Sequence, residues 1–117
     1  MNAPLNELQR LVVQAAAEKQ AYDILILDLR NRSDLTDSFI ICSGKSRIQV
    51  QAIVDSILEH VAKSPHKVYA VEGYTSGHWV VVDLEDVVVH VFYEETRRHY
   101  DLERLWGDVP VIDAVGL

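Results

Sequence analysis

Ser43-Gly44-Lys45-Ser46 is the segment of this sequence most suggestive of chemistry, because its last three residues match the end of a phosphate-binding loop. Such a loop wraps phosphates with backbone amides and needs a further glycine five positions before Gly44, where Phe39 stands instead. A tight strand-to-helix turn accounts for the segment better. Nucleotidyltransferases use a similar turn, but they also need two carboxylates one residue apart to hold metal ions against a triphosphate. The first acid after Gly44 is Asp55, inside a helical pattern. Asp83 and Glu85 have the pair spacing, yet a hairpin turn explains them equally well. The geometric roles of that enzyme class are therefore unfilled. His60, His66, His78, His90 and His99 are scattered without metal-ligand spacing, and Cys42 is the single cysteine. One cysteine permits neither an internal disulfide nor a zinc cluster. Cys42 reads as a small buried residue, and His90, on an apolar strand, as a satisfied core or interface residue. Ser43 has no His and Asp partners at readable spacing for nucleophilic catalysis. The expectation is a protein that is not an enzyme, with no catalytic, cofactor-binding or metal-binding residues.

The second half of the chain offers a different chemistry. Beyond Glu72 the acids Asp83, Glu85, Asp86, Glu94, Glu95, Asp101, Glu103 and Asp108 outnumber Arg97, Arg98 and Arg104, with Tyr74, Trp79, Tyr93, Tyr100 and Trp106 among them. This is either a solvated acidic face above core aromatics or an interface with aromatic anchors and an acidic rim. Both remain open on these residues alone.

The elements that must position these groups follow from periodicity. Leu5, Leu8, Leu11, Val12, Ala15 and Ala16 recur at helical spacing, predicting an amphipathic helix from about Leu5 to Lys19. Asp23–Leu29 and Ser38–Ser43 read as strands separated by a polar turn. Val50, Ile53, Val54, Ile57, Leu58 and Val61 predict a second helix, opened by Gly44 and Ser46 and ended at Lys63–Pro65. Strands are expected at Lys67–Val71, Trp79–Asp83 and Val87–Phe92, the last two joined by a hairpin at 83–86. The last is apolar on both faces, as a central, doubly covered strand should be. Asp101 can cap a short helix through Trp106, and Gly107 can end it. The predicted order is α-β-β-α-β-β-β-α, a mixed α/β fold with about five strands and helices packed on the sheet.

A chain of 117 residues, about half of them apolar, supports one compact domain over residues 1–117, with a loose tail expected from about 108. No internal repeat, linker or basic-apolar leader stands out, and no apolar run approaches the roughly 20 residues that span a bilayer. A cytoplasmic protein without membrane contact is expected. The net charge of −7 argues against binding to exposed phosphate backbone and suits a basic protein partner.

Taken as a block, Thr36–Ser46 with Gln49–Ile53, then Glu72-Gly73, Gly77–Asp83, Asp86–Phe92 and Arg97–Trp106, resembles the Iojap-like family of ribosomal silencing factors. The resemblance spans Leu5 to about Asp108. It implies a nucleotidyltransferase-like α/β fold without catalytic carboxylates. It also implies binding to the large ribosomal subunit through its ribosomal protein fourteen, blocking the joining of the small subunit and repressing translation. Organelle relatives of the family are linked to large-subunit assembly and usually carry a targeting extension. This chain opens at its first helix, so a bacterial-type protein is expected. On this resemblance Trp79, Tyr100, Leu102 and Trp106 are assigned as apolar anchors. Asp83, Asp101 and Glu103 are assigned as partners for basic residues, with His90 lining the same surface. A nucleotidyltransferase-type enzyme, a large-subunit assembly factor and a homodimer through the aromatic surface are the alternatives, and no direct sequence-specific nucleic-acid binding is expected.

Overall fold

The computed structural model describes residues 5–31, 34–105, 107 and 110–113, with only the backbone of Glu103, Leu105 and Asp113. Its first helix, α1 (Glu7–Glu18), starts where Asn6 accepts from the Gln9 amide while the Gln9 side chain accepts from the Asn6 amide. This reciprocal cap satisfies two amides that the helix itself cannot. Strands β1 (Tyr22–Asp28) and β2 (Ser38–Gly44) follow, then α2 (Arg47–Ala62), N-capped by Ser46. Next come β3 (Ala70–Glu72), β4 (Trp79–Asp83), β5 (Val87–Tyr93), α3 (Glu94–Tyr100), α4 (Leu102–Leu105) and β6 (Val111–Asp113).

The strands form one sheet in the order β3-β4-β5-β2-β1-β6. Only the central β2–β5 pair is parallel among these neighbours; the other pairs are antiparallel. The mixed α/β architecture and the central place of β5 agree with the sequence reading. Two elements depart from it. Residues 111–113, expected within a loose tail, instead pair with β1 and make a sixth strand, with the Asp28 amide donating to the Pro110 carbonyl beside them. Residues 94–100 form the unpredicted α3, which buries no residue and so shows no apolar period to read. β3 is also shorter and later than predicted, although the Tyr69 amide already donates to the Asp83 carbonyl.

Strand alternation assigns every side chain to one of two faces. Ile26, Ile40, Cys42, Val80, Val82, Val89 and Val91 meet Val12, Ala15, Ala16, Val50, Ile53, Val54 and Ile57 in the main core. Alanines at the contact let α1 lie close to α2, and there Ser56 Oγ donates to the Ala15 carbonyl at 2.8 Å. Burial pushes the Cys42 thiol up to about 12, so it is an inert packing group. No helix of the described residues is long and apolar enough to cross a membrane.

Candidate partner-binding face

The opposite face of the sheet carries the candidate site. Register puts Trp79 beside Phe92, Val81 beside His90 and Asp83 beside Val88. It puts Phe39 beside Val88 and Ile41 beside His90 on the other flank of β5. Leu27, Leu29, Ile41, Phe92 and Leu102 are buried in a second, smaller cluster, while Leu25, Phe39 and Trp79 pack on it half-buried. Val81 and Val88 are half-buried too. Among the described residues α3 and α4 cover part of this face, and Phe39, Val81 and Val88 stay half-buried beside them.

Trp79 is the centre of an aromatic group. Its ring stacks on Phe92 at 5.0 Å between centroids and is tilted against Tyr100 at 4.9 Å. Its indole N–H donates to His90 Nδ1 at 3.0 Å, and His90 meets Phe39 edge-on at 4.5 Å. Accepting at Nδ1 places the neutral ring's proton on Nε2, which is buried and has no partner among the described residues. Burial holds the imidazole down to about 4, so it is neutral near pH 7. Gly73 helps set this group: its φ is +84°, and a Cβ there would collide with the Trp79 carbonyl oxygen. Tyr100, at the end of α3, remains 53% exposed, which leaves one aromatic edge available to a partner.

The chain reverses at Asp101, whose left-handed backbone ends α3 and turns α4 back so that Leu102 drops into the second cluster. Leu102, expected as an apolar anchor, is buried in this cluster and supports the face from within. Asp101 serves as the hinge between two helices, and the Arg104 amide donates to its carbonyl.

The structure thus brings Trp79, His90, Tyr100 and Leu102 together and separates the acids. Asp83 lies at the β4–β5 hairpin, where Glu85 donates its amide to Asp83 Oδ1 and Asp37 donates its own to the Asp86 carbonyl. Asp101 lies at the far end, lining a cleft of about 440 Å³ with Tyr22, Asp23, Ser43, Glu94, Arg97 and Arg98. In that cleft the Tyr22 hydroxyl donates to Glu94; burial first, then this bond, pushes its pKa up to about 12. Arg97 donates to the Asp23 carbonyl at 2.7 Å and Ser43 Oγ at 2.8 Å. Trp106 and the side chain of Glu103 lie outside the described residues.

Sequence reasoning missed Phe39, Val81, Val88 and Asp37 as members of this surface, whereas Asp86 stood among the acids expected at its rim. The alternation of Phe39 and Ile41 against Ile40 and Cys42 was the available signal. The register also separates the two halves of the nucleotidyltransferase pattern. Gly44 pairs with Tyr93 at one end of β5, whereas Asp83 pairs with Val88 near the other, roughly 16 Å away at strand rise. Among the described residues no group of three or more His, Cys, Asp or Glu could hold a metal ion.

Comparison with known proteins identifies relatives of the whole chain. A ribosomal silencing factor from Bacillus subtilis (strain 168) is 45% identical over 111 residues, covering 93% of this chain and 94% of its own. One from Halalkalibacterium halodurans is 40% identical over 111 residues, covering 95% of each chain. A crystal structure of a Chromobacterium violaceum protein superposes with a TM-score of 0.85 at 34% identity, covering 90% of this chain and 88% of that one. At greater distance, the mouse mitochondrial assembly of ribosomal large subunit protein 1 is 29% identical over 99 residues, covering 82% of this chain and 43% of its own. The family model described as "Ribosomal silencing factor during starvation" matches residues 2–117, and the chain belongs to that family.

Proposed function

We propose that this protein binds the large ribosomal subunit through its ribosomal protein fourteen and blocks the small subunit from joining, thereby repressing translation. The observation that carries this reading is the half-open aromatic face around Trp79 and Tyr100, bordered at the hairpin by Asp37, Asp83, Glu85 and Asp86. An apolar centre with charged margins is what a specific protein contact requires. An acidic margin steers such a surface towards a basic protein, as ribosomal proteins generally are. The mechanism is occlusion. A body of 34 × 34 × 27 Å seated on the joining surface fills a contact point between subunits without any catalysis. Trp79 and Tyr100 supply the contact, His90 and Leu102 hold it in place, and Asp83 pairs with basic residues at the rim.

Sedimentation through a sucrose gradient tests this. The purified protein should migrate with isolated large subunits and lower the yield of joined ribosomes when small subunits are added. Failure to bind either subunit would overturn the reading. A role in large-subunit assembly is the second reading, favoured by the similarity to the mouse assembly protein. Accumulation of immature large subunits on deletion, with normal joining of mature ones, would favour it. A homodimer through the same face would appear in light scattering and dissolve when ribosomal protein fourteen is added.

A further inference from the structure

The net charge of −7 conceals a separation of charge along the sheet. Parallel register sets Ser38 beside Val87 at one end and Gly44 beside Tyr93 at the other. Asp37, Asp83, Glu85 and Asp86 gather at the first end, while Lys45 and Arg47 follow directly from β2 at the second. Seven-residue strands separate these ends by roughly 20 Å at strand rise. The Debye length at physiological ionic strength is only about 8 Å. A partner at the second end is therefore screened from the acids at the first, and the sign of the whole molecule does not decide what binds there.

Gln49 assembles the second end. Its Oε1 accepts from the Lys45 amide at 2.6 Å, and its Nε2 donates to the carbonyls of Lys19 at 3.1 Å and Gln20 at 3.2 Å. One side chain thus ties the end of α1 to the start of α2 and sets Lys19 near Lys45, two residues before Arg47. Gly77, at φ +71°, lets the loop before β4 lie on Arg47, since a Cβ there would stand 3.0 Å from the Arg47 Cβ. Lys19, Lys45 and Arg47 are exposed, and none forms an ion pair with a carboxylate among the described residues. Three neighbouring acids hold partners other than these cations. Glu94 accepts from the Tyr22 hydroxyl, Asp55 accepts from the Tyr74 hydroxyl at 2.8 Å, and Glu18 pairs with His60 at 3.0 Å. Asp23 and Glu94 face Arg97 and Arg98 across the adjoining cleft. Shallow clefts of about 400 and 510 Å³ flank the three cations, offering Ser46, Thr75 and Ser76 as further polar groups.

We propose that this end lies on the sugar-phosphate backbone of ribosomal RNA in the large subunit, a contact without base specificity, while the aromatic face with its acidic margin grips protein. The inference rests on the proposed binding to the large subunit and adds a second, anionic partner surface to it. Neutralising phosphates releases counterions, so the contact must appear as salt dependence.

The test compares the unmodified protein with the Lys45→Ala/Arg47→Ala double variant. Each is titrated onto purified large subunits and, separately, onto isolated ribosomal protein fourteen, from about 50 to 200 mM salt. The expected result is roughly tenfold or greater weakening on the subunit at low salt, with the slope of log K against log salt reduced by about one to two. Affinity for the isolated protein should be unchanged. Equal affinity and slope on the subunit would overturn the inference, as would equal weakening on isolated ribosomal protein fourteen, which would make the cations a protein contact. Failure of the unmodified protein to bind subunits would instead overturn the proposed function itself. Circular dichroism of the double variant confirms that these exposed substitutions leave the fold intact.

Discussion

On the face of the sheet under α1 and α2, Val80, Val82, Val89 and Val91 have no solvent exposure, and Val50, Ile53, Val54 and Ile57 close over them completely. On the other face the same strands present Trp79, Val81 and Val88, and β2 presents Phe39 beside them, all half-buried and only partly roofed by α3 and α4. Aliphatic side chains fill the first face; on the second, aromatic rings and an imidazole join the aliphatic ones. Stability sets the demands on the covered face, which must exclude water. The other face leaves Trp79, Val81, Val88 and Phe39 half-buried and Tyr100 exposed, so part of its apolar area stays in water at a cost that a partner could relieve. A residue's worth to folding and its worth to binding should therefore separate by face.

The largest expected effect is on the covered side. Ile53→Ala removes a fully buried side chain and should lower the unfolding free energy by about 2–5 kcal/mol in urea denaturation. At equal concentrations of folded protein, binding to large subunits should not change. Weaker binding at matched folded concentration would show that both faces serve the partner.

His90 sharpens the comparison, because it is a titratable group placed in the open face. Its folded pKa of about 4 lies below its ordinary value of 6.5, owing to burial. Between these values the unfolded chain binds more protons, so stability rises with pH through this window and is lost as pH falls from about 6.5 towards 4. The full difference corresponds to roughly 3 kcal/mol at most. Protonation would also turn Nδ1 into a donor and break the bond from the Trp79 indole. His90→Gln should flatten the dependence of the unfolding free energy on pH between 4 and 6.5. An unchanged slope would assign that dependence to other groups.

Tyr100→Ala probes the open face directly. The ring is 53% exposed and contacts Trp79, so its loss should cost less than about 1 kcal/mol of stability. Large-subunit binding should weaken roughly 30-fold, as for an aromatic anchor worth about 2 kcal/mol. A stability loss larger than the binding loss would make Tyr100 part of the core.

The two faces also differed in how much the sequence revealed of them. α2 was legible because Val50, Ile53, Val54, Ile57 and Val61 mark one buried stripe, and Ser46 caps its start. β4 was read to the residue, since alternation and a hairpin turn bound it. α3 was invisible because Glu94–Tyr100 buries nothing, and β6 because three residues after a proline carry no period. Aromatic residue types pointed to the open face, but its membership depended on the register between β2, β4 and β5, which no local pattern encodes. For the same reason the burial of Leu102 is not legible in the sequence. Only the left-handed turn at Asp101 sends it inward.

The smallest effect tests whether the covered face is mute in binding even where it reaches the surface. Asn6 caps α1 through the Gln9 amide at 2.7 Å, and Gln9 in turn donates to Ser38 Oγ at 3.2 Å, linking helix to sheet. Asn6→Ala removes the acceptor, leaves an amide of the first turn without its partner, and should cost about 1 kcal/mol. Asn6→Asp keeps the acceptor and adds a negative charge at the helix N-terminus, so it should restore most of that stability. Both variants should bind large subunits as the parent does at equal folded concentration. If Asn6→Asp refolds normally and still binds differently, the start of α1 touches the partner, and the division of labour between the two faces fails at that edge.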